Sequence, residues 1–195
     1  MSIPNVLHDE LLTSAILIGM KQLKKVRIVI VIGIIVIFLQ KYQQNQEASA
    51  IPDIQGEVTL IRIVDGDTLV VEIKDMEEKV RIIGIDTPES VKPNSKVECF
   101  GQEATNQMRY MLENVSSVHI ETDPTQKNRD IHGRLLAHVF SNGENIGERM
   151  ITGGYAYEYT YRKPYIYQDE YLYAQSQAQK DERGLWSPAT CNGKS

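Results

Sequence analysis

Arg81-Ile82-Ile83-Gly84-Ile85-Asp86-Thr87-Pro88-Glu89 is the stretch around which this sequence of 195 residues is organised. Its apolar first half predicts a buried strand, and its second half carries two carboxylates where that strand ends in a loop. Pro88 fixes its own φ and disfavours helix at Thr87, so Asp86 and Glu89 are held in a defined geometry. The stretch alone fits an ordinary strand and polar turn equally well, so its meaning depends on the rest of the chain.

Short strands and three helices surround this stretch. Five segments rich in β-branched residues predict strands: Val58–Val64, Thr68–Ile73, Lys79–Ile85, Ser117–Glu121 and Arg134–Phe140. Helices are predicted at Gly101–Asn114, Asn145–Thr152 and Gln168–Arg183. Turn residues separate the first three strands, which predicts a three-strand meander. The pattern predicts an α+β fold, a five-stranded Greek-key barrel of the OB type with about three packed helices.

The composition is that of a folded soluble domain, with 42% hydrophobic and 24% charged residues. The first fifty residues hold five of the 21 Lys and Arg and three of the 26 Asp and Glu, which leaves 16 basic and 23 acidic residues, a net charge of −7, for the remainder. Nucleic-acid-binding proteins are normally basic, so this balance argues against such a role. It fits carboxylates gathered around a divalent cation, or an acidic surface.

Residues 1–50 predict a targeting or anchor region, and residues 51–195 a separate domain. A basic run at 21–27 precedes the apolar segment 28–39, and the polar linker 40–50 ends in Ala48-Ser49-Ala50. At about 1.5 Å per residue the apolar segment spans roughly 18 Å, short of the ~30 Å hydrocarbon core of a bilayer, so its length suits a signal peptide. Because the positive charge precedes the segment, residues 51–195 are expected outside the cytoplasm.

Two routes of export remain open. The apolar segment is either retained as a short membrane anchor, or cleaved near Ala50 so that the domain is secreted. Met20 lies just before the basic run, and translation from Met20 instead of Met1 would give a conventional signal peptide. N-terminal sequencing of the product decides between the routes, because a chain that starts near Ile51 rules out the anchor.

The two cysteines, Cys99 and Cys191, belong to no Cys-x-x-Cys or Cys/His pattern, so a zinc site is not predicted. In an exported domain they are able to form one disulfide that ties the C-terminal tail to a loop. Two unrelated buried thiols are the alternative.

Four motifs, in their order and spacing, resemble the staphylococcal-nuclease-like (thermonuclease) family of calcium-dependent phosphodiesterases. They are Asp65-Gly66-Asp67-Thr68, Arg81 with Asp86-Thr87-Pro88-Glu89, His132-Gly133-Arg134, and Gly184-Leu185-Trp186. The resemblance covers about Val58 to Trp186. The first motif is a common hairpin turn and says little by itself. The second motif, followed about forty-five residues later by Gly-Arg, carries most of the resemblance.

The resemblance implies a calcium site. The family's metal ligands correspond to Asp67, Asp86 and the main-chain carbonyl of Thr87. Two carboxylates close together repel each other, so such a pair is reasonable chiefly when a cation binds between them. Carboxylate and carbonyl oxygens are hard ligands that suit Ca²⁺ better than zinc.

The resemblance also implies a catalytic group and a phosphate clamp. Glu89 corresponds to the general base, or to the group that orients the attacking water. Arg81 and Arg134 correspond to the two guanidinium groups that hold the phosphate, for which a planar bidentate fork suits better than lysine. His132 replaces what is usually an aromatic residue in the family, and we interpret it as a loop residue.

Eight of the ten tyrosines lie between Tyr155 and Tyr173. Tyrosine rings stack on unpaired bases, at roughly 1–3 kcal/mol per base, and they also pack helices against barrels. We expect both uses here, with one or two of Tyr157, Tyr159 and Tyr161 near the substrate base.

The sequence thus predicts an exported, monomeric, Ca²⁺-dependent endo/exonuclease that acts on DNA and RNA, preferably single-stranded, and leaves 3′-phosphorylated products, as the resemblance implies. Its membrane contact, if any, is through the uncleaved N-terminal segment. One alternative is a nucleic-acid-binding module on the same barrel that has lost catalysis, and another is an extracellular calcium-binding or adhesion domain. Domains of this family that have lost catalysis usually lack the arginines or carboxylates. All of these residues are present here, so the nuclease is favoured.

Overall fold

A computed structural model describes residues 31–41, 54–90 and 98–194. The chain divides into two units, Met1–Ile51 and Pro52–Ser195. In the first unit, residues 31–41 form a helix whose side chains are all exposed. Within the described ranges no helix is long and apolar enough to cross a membrane. The alternative start at Met20 and the cleavage site near Ala50 lie outside the described residues.

The second unit is built on a closed barrel of five long strands. Its strands are β1 (Gln55–Ile63), β2 (Thr68–Ile73), β3 (Met76–Ile82), β4 (Ile85–Asp86), β5 (Ser117–Glu121), β6 (Leu135–Ser141), β7 (Glu144–Asn145) and β8 (Tyr157–Glu158). Strands β3, β2, β1, β5 and β6 are antiparallel neighbours in that order, and the parallel pairing of β3 with β6 closes the barrel. The predicted five-stranded OB-type barrel is therefore confirmed.

The barrel interior is filled by aliphatic side chains. Because side chains alternate between the two faces of a strand, residues at i and i+2 line the interior together. The fully buried members are Leu69, Val71, Val80, Ile82, Val118, Ile120, Leu135, Ala137 and Val139. Burial of these side chains, at roughly 25 cal/mol per Å² of apolar surface, makes the barrel a stable frame for the loops at its end.

Three α-helices pack around the barrel: α1 (Gly101–Met111), α2 (Ile146–Thr152) and α3 (Gln168–Lys180). The predicted helices are confirmed, but α1 and α3 each end three residues earlier than expected. Asn114 and Glu182 have positive φ, so the chain turns away from the helical path at both places. Asn145 caps α2, where its side chain accepts a hydrogen bond from the Glu148 amide.

A backbone hydrogen bond and a short strand pairing bring loops that are distant in sequence together at one end of the barrel. The Ile82 amide donates to the Asp67 carbonyl oxygen at 2.9 Å, which holds the β1–β2 turn beside the end of β3. Strand β4 pairs with β8, so that Asp86 lies opposite Tyr157. The carboxylates that follow β3 therefore meet both the first turn and the tyrosine-rich segment.

Candidate active site

Asp67 joins the β1–β2 turn to the loop after β4. Its amide donates to Asp65 Oδ1 at 3.1 Å, which shapes the turn. Its own Oδ2 accepts hydrogen bonds from the Thr87 amide at 3.2 Å and from Thr87 Oγ1 at 3.1 Å. Gly66 makes this approach possible, because a Cβ there would lie 2.8 Å from Thr87 Oγ1. Asp67 and Thr87, two residues predicted to supply metal ligands, are thus in contact across twenty residues of sequence, through the Thr87 amide and hydroxyl groups.

Arg81 lies between the two predicted carboxylate ligands. Its Nε is 3.1 Å from Asp67 Oδ1, and its Nη2 donates to Asp86 Oδ1 at 2.9 Å. Its Nη1 donates to the carbonyl oxygens of Ile82 and Ile85, both at 2.7 Å. With a side chain only 12% exposed, Arg81 acts first as an internal brace that fixes the end of β3 to the loop.

Carboxylates outnumber the guanidinium in this cluster. Burial, together with the nearby charge of Asp67, raises the pKa of Asp65 to about 6. The pKa of Asp86 is also raised, mainly by its removal from water, an effect that the charge of Arg81 opposes and that of Asp67 reinforces. Oxygen donors with an excess of negative charge fit a hard divalent cation.

The predicted ligand set contains only two carboxylates, those of Asp67 and Asp86, with the carbonyl oxygen of Thr87 as the third ligand. In the part of the chain that the structure describes, no group of three or more His, Cys, Asp or Glu side chains could hold a metal ion. A site of the predicted kind does not need such a group, because Ca²⁺ takes main-chain carbonyl oxygens and water as ligands. The donor atoms therefore fit the cation that the sequence predicts.

The Glu89 backbone is fixed by Glu98, a residue that the sequence did not single out. The Glu89 amide donates to Glu98 Oε2 at 2.8 Å, and the Glu98 amide donates to the Glu89 carbonyl oxygen at 2.9 Å. The start of α1 lies directly against this loop, since a Cβ on Gly101 would be 2.6 Å from the Glu89 carbonyl oxygen. Nothing in the polar, aperiodic sequence around Glu98 signals this role.

Arg134 reaches the same site from the loop before β6. Its Nη1 donates to Thr68 Oγ1 at 3.3 Å, and that hydroxyl donates to Asp67 Oδ1 at 2.9 Å. Asp130 holds the arginine, because its carboxylate accepts from Arg134 Nε at 2.7 Å and from the Arg134 amide at 2.9 Å. The side chain of Arg134 is 29% exposed. Asp130 was also missed, although its spacing of four residues from Arg134, with a turn at Gly133, is a usable signal.

The three predicted base-binding tyrosines have different surroundings. The Tyr157 ring packs edge-on against Trp186, with centroids 5.2 Å apart. Tyr159 and Tyr161 are 44% and 60% exposed, and their ring centroids are 6.3 Å apart. The guanidinium of Arg162 lies 5.0 Å from the Tyr161 ring centre. The structure thus presents Tyr159 and Tyr161 to solvent and uses Tyr157 in packing.

Other tyrosines of this region pack α3 against the barrel. Tyr165 and Tyr171 are buried, and with Tyr167 they surround the buried His138. The expected packing role is therefore observed for these tyrosines, and the expected stacking of others on bases stays a prediction.

Cys99 and Cys191 form a disulfide across 92 residues of sequence. It joins the residue before Phe100, at the start of α1, to the C-terminal tail. The disulfide therefore lies one residue away from Glu98.

Fold and site together define an OB-type barrel with clustered carboxylates and two arginines at one end. Residues 79–188, more than half of the chain, match the family model described as staphylococcal nuclease homologue. The chain belongs to the staphylococcal nuclease family, as the motifs predict.

Curated relatives agree with this assignment. The thermonuclease of Staphylococcus hyicus is 35% identical over 171 residues, which cover 86% of this chain and 99% of that protein. The thermonuclease of Staphylococcus intermedius is 32% identical over 169 residues, with the same coverage of each chain. Endonuclease YncB of Bacillus subtilis (strain 168) is 31% identical over 153 residues, covering 75% of this chain and 72% of that protein. These findings support a nuclease, that is, a hydrolase acting on nucleic acids.

Proposed function

We propose that the chain is a Ca²⁺-dependent nuclease that hydrolyses phosphodiester bonds of DNA and RNA, with a preference for single strands, and leaves 3′-phosphorylated products. The observation that carries the proposal is the hydrogen-bonded cluster of Asp67, Arg81, Asp86 and Thr87, which Arg134 reaches through one hydroxyl group. Family membership and the thermonuclease relatives support the same reading.

Asp67, Asp86 and the Thr87 carbonyl oxygen would hold Ca²⁺. When bound, the ion supplies positive charge that offsets the charge developing on the phosphoryl oxygens. The protein contributes the rigidity of the ligands. Asp67 is buried and accepts two hydrogen bonds from Thr87, which hold the two residues in a fixed relative position.

Arg134 would bind the phosphate. A guanidinium offers parallel N–H groups that match two phosphate oxygens, and Asp130 holds it in a fixed orientation. Its exposure of 29% leaves it accessible to a ligand, whereas Arg81 is nearly buried. Arg81 would contribute positive charge from behind the site while holding Asp67 and Asp86 in place.

Glu89 would accept the proton of the attacking water, or orient that water. Water then attacks phosphorus opposite the 5′-oxygen, the bond from phosphorus to that oxygen breaks, and the phosphate stays on the 3′-oxygen. Tyr159 and Tyr161 would stack on unpaired bases beside the scissile bond, which accounts for a preference for single strands. Their segment is anchored to the site, because the Tyr159 amide donates to the Gly84 carbonyl oxygen at 2.9 Å.

The deciding experiment is digestion of end-labelled single-stranded DNA and RNA by the purified domain, in Ca²⁺ and in a chelator. We expect cleavage that the chelator abolishes and that Ca²⁺ restores, with products that a 3′-phosphatase modifies. Glu89→Ser is the matched control, because it keeps the surrounding residues and removes the carboxylate. Binding of single strands without cleavage under any divalent cation would instead establish a binding module.

We further propose that this unit acts outside the cytoplasm, either anchored or secreted. The disulfide supports this, because disulfides persist mainly in oxidising compartments. The basic run at 21–27, which precedes the apolar segment 28–39, supports it as well. Cell fractionation followed by N-terminal sequencing tests the proposal, and recovery of all the active protein from the cytoplasm would refute it.

A further inference from the structure

We propose that Glu98 is a positioning residue for Glu89, and that the Cys99–Cys191 disulfide holds Glu98 in the required place. Nuclease activity then depends on the oxidised state of this cysteine pair. The inference rests on the proposed role of Glu89 in the reaction.

The contact between the two glutamates is made through the backbone of Glu89. The Glu98 carboxylate accepts a hydrogen bond from the Glu89 amide at 2.8 Å, and the Glu98 amide donates one to the Glu89 carbonyl oxygen at 2.9 Å. Two such bonds fix both sides of one residue, and so restrict the direction in which the Glu89 side chain leaves the backbone.

The start of α1 packs against the backbone of both glutamates. The Gly101 amide donates to the Glu98 carbonyl oxygen at 3.1 Å, and the absence of a Cβ at Gly101 lets the Glu89 backbone lie against it. Phe100, between Cys99 and Gly101, adopts φ of 70° and stacks on Tyr155 with ring centroids 5.5 Å apart. A non-glycine residue in this conformation is costly, so the segment depends on external restraints to keep it.

The other end of the disulfide belongs to a well-anchored tail. Cys191 is buried, and the Gly193 amide donates to the Leu185 carbonyl oxygen at 2.8 Å. Leu185 is fully buried, and its amide donates to the Gly154 carbonyl oxygen at 2.9 Å. The tail is thus fixed by its own contacts. The disulfide transfers that restraint to Cys99, and through Cys99 to Glu98.

Reduction tests the covalent link. A dithiol reductant donates two electrons and two protons, so that the sulfur–sulfur bond breaks, both cysteines become thiols, and the reductant becomes a disulfide. Glu98 then loses the restraint that Cys191 supplies. Misplacement of a catalytic group by about 1 Å costs on the order of a hundredfold in rate. We therefore expect kcat to fall roughly tenfold to a hundredfold, with KM nearly unchanged because Arg134 and the exposed tyrosines are not involved.

Two variants of Glu98 separate positioning from charge. Glu98→Gln keeps an oxygen that can accept a hydrogen bond from the Glu89 amide, and Glu98→Ala removes that acceptor. We expect the alanine variant to lose roughly tenfold to a hundredfold in kcat and the glutamine variant to retain most of its activity. Equal losses in both variants would overturn the proposal, because the charge of Glu98 would then matter and not its hydrogen bond.

Amide hydrogen exchange gives a readout independent of activity. After complete reduction, confirmed by thiol titration, the Glu89 amide is expected to exchange at least about tenfold faster, while amides of β2 and β3 keep their protection. Cys99→Ser/Cys191→Ser should exchange like the reduced protein and should not respond to the reductant. Ile120→Val, in the barrel core, controls for a general loss of stability. Unchanged Glu89 exchange after complete reduction would refute the inference.

The two proposals fail in different ways. Absence of cleavage by the oxidised wild-type protein in Ca²⁺ would refute the proposed function, whatever the exchange data show. A wild-type protein that cleaves equally well before and after reduction would leave the function standing and refute the role of the disulfide.

Discussion

Arg81 and Arg134 each pair with aspartate, yet the two regions are built for different purposes. Arg81 is 12% exposed, contacts both Asp67 and Asp86, and donates to two backbone carbonyl groups. Arg134 is 29% exposed, and within the described residues the carboxylate paired with it is that of Asp130. The first arginine is part of the frame that holds the carboxylates, and the second is presented on a loop at its edge.

The pKa values of the aspartates shift in opposite directions in the two regions. Beside Arg81, burial raises the pKa of Asp86 and one guanidinium does not compensate the surrounding acids. At Arg134, burial also acts to raise the pKa of Asp130, but hydrogen bonds from the Arg134 side chain and backbone outweigh it and lower the pKa. One region therefore has an excess of negative charge that suits a cation, and the other is a balanced pair in which Asp130 orients Arg134.

The largest expected effect is on catalysis, in the exposed region. Arg134→Ala should reduce kcat/KM by roughly a thousandfold or more, because the phosphate loses its bidentate partner, while the thermal midpoint changes by only a few degrees. Steady-state cleavage and thermal unfolding measure the two quantities. Arg134→Lys is the matched control and should recover little, since it keeps the charge but not the planar fork. Near-full activity in Arg134→Ala would remove this residue from the mechanism.

The next effect is on stability, in the buried region. Arg81→Ala should lower the free energy of unfolding by roughly 3–5 kcal/mol, because it leaves the Asp67 carboxylate buried without its ionic partner. Denaturant titration of this variant against Arg134→Ala measures the contrast directly. If the two variants proved equally stable, the distinction between a structural role for Arg81 and a substrate-binding role for Arg134 would be wrong.

A smaller effect concerns the exposed tyrosines. Tyr159→Ala/Tyr161→Ala should weaken binding of single-stranded DNA by roughly 1–3 kcal/mol per stacked base, with little change in stability because neither residue is buried in the core. Tyr173→Ala, which removes a ring that is 68% exposed on α3, is the control. Affinity is measured by fluorescence anisotropy in Ca²⁺ with Glu89→Ser as background, and an equal loss in the control would contradict a specific role.

The smallest effect is a dependence of stability on pH at Asp130. Because its folded pKa is lowered from 3.8, its contribution is fully present above that value and is lost as the pH falls through the folded pKa. Asp130→Asn should therefore lower the free energy of unfolding by about 1 kcal/mol at neutral pH, with a smaller difference from wild type below pH ~3.8. Denaturant titrations from pH 7 to pH 3 test this. A difference that grows towards acid would show that the sign is wrong.

Local sequence predicted the elements of the fold and named the candidate site residues. Alternation of β-branched residues predicts each barrel strand, because the side-chain period of a strand is a property of consecutive residues. The motif from Arg81 to Glu89 likewise contains one arginine, two carboxylates and the turn that orients them. Helix ends were less predictable, since they depend on residues such as Asn114 whose positive φ the sequence pattern does not announce.

Only the tertiary structure decided what each residue does in the site. Arg81 and Arg134 are chemically identical in the sequence, and the barrel makes one a buried brace and the other an exposed group held by Asp130. Glu98 became part of the site because closure of the chain brings its carboxylate to the Glu89 amide, and Arg134 meets Thr68 across 66 residues. Such contacts depend on distances between separate segments, and no local pattern encodes those distances.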